Sequence, residues 1–255
     1  MSLFSLMVLA LSKPFVYDAK NTQHKKGRDL ILAIDASGSM AQSGFNEKEQ
    51  LKNKYETTIK LSQAFTKNRF DDNMGVVVFG TFSYTASPLT YDLEALNYLL
   101  EMTTVGLAGE STAIGDALMQ SIRTLSYGEA KNQAIILLTD GYHNAGRDSP
   151  LFAVNKAKAL GIKIYTIGIG KKSDYDVALL ETIAKESGAK SYHASEASEL
   201  SKIYKEINHL EPSPIRSENY LNQKLLIFFP LVLVVILLLL WILAPKSIKL
   251  LKAKV

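Results

Sequence analysis

The chain has 255 residues, a formal net charge of +4 and no cysteine. That length holds one domain of about 180 residues plus membrane segments, but not a second full domain. Disulfides, thiolate metal sites and thiol nucleophiles are excluded, and because four lysines fall in the last ten residues, the folded portion is near neutral and presents no nucleic-acid surface.

Residues 1–16 form a short apolar N-terminal segment, membrane-like or signal-like. The run from Leu3 to Leu11 is broken only by Ser5, is too short for a secure span and has no basic residue before it. The basic residues Lys20, Lys25, Lys26 and Arg28 follow. From there strand and helix patterns alternate. Strands are expected at Asp29 to Asp35, Asn73 to Phe79, Phe82 to Ala86 (a short edge strand), Gln133 to Thr139, Lys163 to Ile169 and Lys190 to His193. Helices are expected at Glu47 to Lys67, with an apolar stripe of Leu51, Tyr55, Ile59, Leu61 and Phe65, and at Asp92 to Met102, Ile114 to Leu125, Pro150 to Leu160, Asp176 to Ser187 and Glu196 to Leu210. This order predicts an α/β fold: a doubly wound, mostly parallel sheet with helices on both faces.

Asp35-Ala36-Ser37-Gly38-Ser39 closes the first strand with one carboxylate and two hydroxyls on a tight turn. Hard oxygen donors in a small loop suit a hard cation, Mg²⁺ most naturally. The same residues also serve as helix caps or turn formers. Two further polar stretches can complete a coordination sphere: the loop Gly109 to Asp116, and Thr139-Asp140-Gly141 after the run Ile135 to Leu138. Asp35 and Asp140 both end strands, and in sheets of this kind ligands bind at the carboxyl ends.

Other polar residues have plainer expectations. Glu110 is either an outer acid of the site or a solvated loop residue. Asp116 suits the first turn of a helix, and Asp71-Asp72 suit a turn. His143 and Asn144 lie on the ligand-facing loop, and Tyr142 and Phe45 are candidates for its rim. His24, His193 and His209 form no spaced set, so a zinc site is unsupported. No Gly-x-Ser-x-Gly elbow and no phosphate-binding Gly-x-x-x-x-Gly-Lys-Ser/Thr motif occurs, so the chain is not expected to be an enzyme.

Toward the C-terminus, Glu211-Pro212-Ser213-Pro214 breaks the last helix and opens a linker over 211–224. Residues 225–244 are twenty consecutive residues without a charge, a predicted transmembrane helix about 30 Å long. Lys246, Lys249, Lys252 and Lys254 mark 245–255 as a basic tail that stays in the cytoplasm, which places the domain on the far side.

Together, Asp35-x-Ser37-x-Ser39, the Ser111-Thr112-Ala113-Ile114-Gly115-Asp116-Ala117-Leu118 loop and Leu137-Leu138-Thr139-Asp140-Gly141 resemble a von Willebrand factor A domain with a complete metal-ion-dependent adhesion site, over roughly residues 28–210. The resemblance implies the ligand set Asp35, Ser37, Ser39, Thr112 and Asp140. It also implies Mg²⁺ as the ion, with Mn²⁺ and Ca²⁺ as alternates, and one open position for a partner's Asp or Glu. Within that family the chain is most similar to bacterial Bat (aerotolerance-type) membrane proteins, through Asp35 to Met40, Gly75 to Phe79, Pro88 to Thr90, Thr112 to Leu118, Ile135 to Gly141 and Ile164 to Gly170. That likeness implies a bacterial inner-membrane protein, single-pass or two-pass, with a periplasmic domain. It also implies company with other Bat-type proteins and a MoxR-type AAA+ ATPase, and a Met1 set inside a longer membrane segment. The function so implied is a membrane-anchored protein-binding module. A scaffold with a silent metal site and a metal-dependent hydrolase are the alternatives.

Overall fold

The structure is a computed structural model and describes residues 15–17, 27–46, 50–67, 69, 72–210, 223–225 and 231–239. The chain divides into two units, Lys25–Arg216 and a unit formed by its two ends. In the latter, Phe15–Tyr17 (β1) pairs antiparallel with Gln223–Leu225 (β8), Phe15 opposite Leu225. The expected boundaries of the N-terminal segment, linker and span therefore each meet a residue of this ribbon. Residues 231–239 are helical and leave most of their aliphatic side chains exposed. Among the described residues no helix is long and apolar enough to cross a membrane. The rest of the 225–244 span, most of 1–16 and of the linker, the 245–255 tail, Asp71 and His24 lie outside the described residues.

In the larger unit the elements follow in the order β2 (Asp29–Asp35), α1 (Lys54–Thr66), β3 (Asn73–Phe79), β4 (Ser83–Thr90), α2 (Leu93–Glu101), α3 (Ile114–Leu125), β5 (Gln133–Thr139), α4 (Pro150–Ala159), β6 (Lys163–Ile169), α5 (Val177–Glu186), β7 (Ser191–Ala194) and α6 (Ala197–Leu210). The six strands order as β4-β3-β2-β5-β6-β7, with β4 alone antiparallel to its neighbour. This is the doubly wound, mostly parallel sheet that the alternation of elements predicts. The inner strands are continuous aliphatic runs because both faces are covered. Leu30, Leu32 and Ile34 pack toward α1, α2 and α6. Ile31 and Ala33 pack toward α3, α4 and α5. Full burial of each Leu or Ile contributes about 1.5–3 kcal/mol, so the scaffold beneath the strand ends is rigid on its own account.

Where boundaries differ from expectation, caps account for much of the difference. The first helix begins at Lys54 rather than Glu47 because the Asn53 side chain accepts a hydrogen bond from Glu56 N (2.7 Å). Leu51 falls before this cap and is 99% exposed, so it does not join the apolar stripe. Asp92, Ser149 and Asp176 cap α2, α4 and α5 in the same way. The edge strand β4 is longer than expected and accommodates Pro88, which an interior strand would not. Asp72 is not a simple turn residue. It is buried at the amino ends of β2 and β3, where it accepts from Arg28 Nη2 (3.0 Å) and Arg69 Nη1 (2.6 Å).

The chain leaves β2 toward β3 and β4 on one side and returns to β5, β6 and β7 on the other. The strand order thus reverses between β2 and β5, which opens a crevice beyond their carboxyl ends. The register of β2 and β5 runs level up to Ile34 opposite Leu138, so both strands end at the same height.

Candidate functional site

Asp35 is the last residue of β2 and is fully buried. Its Oδ1 accepts from Ser37 N (2.9 Å) and its Oδ2 from the hydroxyl of Thr139, the last residue of β5 (2.5 Å). Ser37 caps a short 3-10 helix, Gly38–Ala41, which turns the chain back so that the Ser37 and Ser39 hydroxyls lie 3.2 Å apart. Ser39 Oγ in turn donates to Asp140 Oδ1 at 2.5 Å. Thr112 arrives from the loop before α3. Asn144 holds it there, its side-chain oxygen accepting from Thr112 N (2.8 Å) while its own N–H donates to the Thr112 carbonyl (3.1 Å). A Cβ added to Gly141 would sit 2.7 Å from Thr112 Oγ1, so this position requires glycine for the threonine to approach Asp140.

All five residues expected from the sequence therefore converge: Asp35, Ser37, Ser39 and Asp140 through a chain of hydrogen bonds, and Thr112 through its contact with Gly141. Among the described residues no group of three or more His, Cys, Asp and Glu gathers in a metal-binding arrangement. The donor set is instead two carboxylates and three hydroxyls, the chemistry of a hard cation. Burial pushes the Asp35 carboxyl from 3.8 up to about 7; hydrogen bonds from Ser37 and Thr139 oppose the rise, and the nearby Asp140 charge adds to it. A cation placed among these oxygens relieves that cost, so the residues fit one.

The sequence reading did not single out Lys54. This lysine, in the first turn of α1, is 6% exposed and reaches across to Asp140 Oδ2 (2.9 Å), with Asp174 Oδ2 at 3.6 Å. A lone lysine inside an amphipathic helical pattern gives no spacing signal, whereas Asn144, four residues past Asp140 on the same loop, was at least in view. Glu110 lies against the turn: its carbonyl accepts from Gly38 N (3.1 Å), and its carboxylate would be 2.8 Å from a Cβ on Gly38. Asp116 stands in the first turn of α3 as expected, where its Oδ1 also accepts from Arg147 N and Asp148 N, both at 2.8 Å. Tyr142 is on the exposed rim, its hydroxyl donating to the Ser173 carbonyl (3.3 Å). Phe45 is not on the rim. It is buried in the core on the α1 and α6 side of the sheet. His143 is half-buried beside the site, while the His193 ring pairs with the Tyr175 hydroxyl (2.6 Å).

A doubly wound sheet with an oxygen-donor cluster at its switch point defines the class of α/β domains built to present a ligand at the carboxyl edge. The chain belongs to the von Willebrand factor A family: the model of the von Willebrand factor type A domain matches residues 29–206. A curated relative, an uncharacterised protein of Borreliella burgdorferi, is 31% identical over 172 residues, covering 68% of this chain and 49% of the relative. The chain thus spans about half the length of the curated relative it matches. Two solved structures share the fold. An aerotolerance-related membrane protein of Bacteroides fragilis, with multiple mutations to serines, has TM-score 0.60 and 21% identity, covering 72% of this chain and 98% of that one. Proximal thread matrix protein 1 of the mussel byssus, with a zinc-occupied MIDAS motif, has TM-score 0.59 and 23% identity, covering 80% and 49%.

Proposed function

We propose that this chain is a membrane-anchored, Mg²⁺-dependent protein-binding module that captures an acidic side chain of a partner. The observation that carries the reading is the convergence of Asp35, Ser37, Ser39, Thr112 and Asp140 at the β2–β5 switch point, with both carboxylates buried. These five residues would hold the ion, and the bound ion supplies a Lewis-acidic position for one outside carboxylate. The zinc-occupied motif of the mussel protein supports a divalent metal in this class of site; the all-oxygen donor set favours Mg²⁺ in this chain. The role of the protein groups is to orient. Thr139 and the Ser37 amide fix the Asp35 carboxylate, Asn144 fixes the Thr112 loop, and Gly38 and Gly141 keep the approach to the site narrow.

The anchor is read from the uncharged 225–244 stretch and from the exposed aliphatic side chains on helical residues 231–239. The lysines of the C-terminal tail favour a domain on the periplasmic side of a bacterial inner membrane. The fold shared with an aerotolerance-related membrane protein supports a Bat-type system, and the sequence resemblance to Bat proteins adds a MoxR-type AAA+ ATPase as its proposed company. In this reading the module binds its partner, and the hydroxyls of Ser37 and Ser39 serve the ion and the Asp140 carboxylate. The test is crosslinking in native membranes with Mg²⁺ and with chelator. A protein captured only with Mg²⁺, and lost in Asp35→Asn, is the expected result; identical capture with chelator argues for a silent scaffold, and metal-dependent turnover of ester or phosphate substrates would argue for a hydrolase.

A further inference from the structure

We propose that Lys54 is the built-in counter-cation of the metal site, a positioning residue that weakens the hold on the metal and strengthens the hold of the loaded site on an incoming carboxylate. The inference rests on the metal-binding reading above and adds a residue to it. Lys54 is buried, so its ammonium must be paired, and the structure gives it two carboxylates: Asp140 Oδ2 at 2.9 Å and Asp174 Oδ2 at 3.6 Å. The Asp140 contact is one-sided. Lys54 holds Oδ2 while Oδ1 receives the Ser39 hydroxyl, so the carboxylate is clamped with a single oxygen turned toward the serines.

The opposite side of the lysine is equally built. Gly170, at φ 98°, permits the close approach: a Cβ there would lie 3.0 Å from Lys54 Nζ and 2.9 Å from Asp174 Oδ2. Asp174 is itself fixed by accepting from Lys171 N (2.9 Å) and Ser173 Oγ (3.1 Å). Burial raises that carboxyl, but its hydrogen bonds from Lys171 and Ser173, and then the Lys54 charge, bring it below its ordinary value. Asp35, Asp140 and Asp174 together exceed a divalent ion by one negative charge, and Lys54 cancels that excess. A site without Lys54 would attract metal more strongly, yet once loaded it would stay net negative and repel an acidic side chain.

The test uses the full-length protein in detergent. Free Mn²⁺ is measured by electron paramagnetic resonance, and acetate binding by displacement of Mn²⁺-bound water in proton relaxation. For Lys54→Met we expect Mn²⁺ binding about tenfold tighter and acetate binding about tenfold weaker, with Lys54→Arg near wild type in both. Asp174→Asn, on an exposed loop and independent of any change in the core, leaves Lys54 wholly to Asp140 and should weaken Mn²⁺ binding several-fold. Lys54→Met that weakens Mn²⁺ and acetate alike, or that leaves both unchanged, overturns the proposal, as does an Asp174→Asn protein with wild-type Mn²⁺ affinity. Wild-type protein that binds no Mn²⁺ overturns the metal reading itself, and this inference with it.

Discussion

The two ends of one sheet bury charge in opposite ways. At the amino ends, Arg28 and Arg69 close on Asp72, and all three side chains are almost fully buried. At the carboxyl ends, Asp140 and Asp174 face Lys54, and Asp35 is buried near Asp140. In the first cluster two guanidiniums share one carboxylate, and in the second the carboxylates Asp35, Asp140 and Asp174 outnumber Lys54. In the first, the guanidiniums approach with directed N–H donors, Arg28 using both Nε (3.3 Å) and Nη2 (3.0 Å), so the contacts are intramolecular from end to end. In the second, the excess is negative, lies in a crevice at a switch point, and is surrounded by hydroxyls with lone pairs to spare. The first arrangement closes a fold and the second leaves room for a cation from solution.

That contrast is broken most severely from below. Asp72→Ala leaves two buried guanidiniums without their shared carboxylate and should destabilise the domain by about 3–5 kcal/mol. The loss, read as a shift in the urea midpoint, should be the same with Mg²⁺ and with chelator. A loss under about 1 kcal/mol would mean that the amino-end cluster is not structural.

At the opposite end the expected sign is reversed. Burial holds the Asp35 carboxyl at about 7 in the folded chain against 3.8 ordinarily. Between those pH values the folded state binds more protons than the unfolded state, so metal-free stability falls as pH rises from about 4 to about 7. The full loss is at most roughly 4 kcal/mol. Asp35→Asn should flatten that slope and, above pH 7 in chelator, should be more stable than wild type. Mg²⁺ at a hundred times its dissociation constant should return about 2.7 kcal/mol to the wild type and nothing to the variant. Thermal melts across pH, with and without Mg²⁺, decide it; a wild-type profile that is flat from pH 4 to 7 in chelator would contradict the burial cost of Asp35.

Much of this was legible in the sequence, for reasons that differ by residue. The strands Asp29 to Asp35 and Gln133 to Thr139 are built on continuous aliphatic runs with an acid at the end of the first and just after the second, a pattern that declares both the buried strand and the ligand-facing end. Asp35, Ser37 and Ser39 are local in sequence, so their grouping needs only a turn. Asp140 and Thr112 are distant, but each sits where a periodic element begins or stops. Lys54 was hidden because its partner is 86 residues away and its own surroundings read as the interior of an ordinary amphipathic helix. Asp72 was misread because a turn position and a buried ion cluster share the same residue type; only the packing of Arg28, 44 residues distant, tells them apart. Phe45 fell on the wrong side of the turn because an isolated aromatic after Ser-Gly carries no period to show which way it faces.

The finer features of the site should yield graded effects on metal affinity with little effect on fold. Gly141→Ala would force a methyl group against Thr112 Oγ1 at 2.7 Å, and the threonine must retreat from Asp140. We expect Mg²⁺ affinity to fall about tenfold by calorimetry, with a stability loss near 1 kcal/mol. An unchanged affinity would remove Thr112 from the ligand set.

Asn144→Ala should do less, and the hydrogen bonds say why. Two bonds hold the Thr112 loop, and only the one from Thr112 N to the Asn144 side chain (2.8 Å) depends on that side chain. The other, from Asn144 N to the Thr112 carbonyl (3.1 Å), is backbone and survives. The Thr112 amide is left partly buried without its acceptor, a cost of about 1–1.5 kcal/mol shared between loop order and metal affinity. Mg²⁺ affinity should therefore fall by about three- to fivefold, and Asn144→Asp, which keeps an acceptor oxygen at the same reach, should recover it. Loss of metal binding in Asn144→Ala as complete as in Asp35→Asn would instead make Asn144 a ligand rather than a strut, and the carboxyl edge would then hold one more metal-binding oxygen than the five identified.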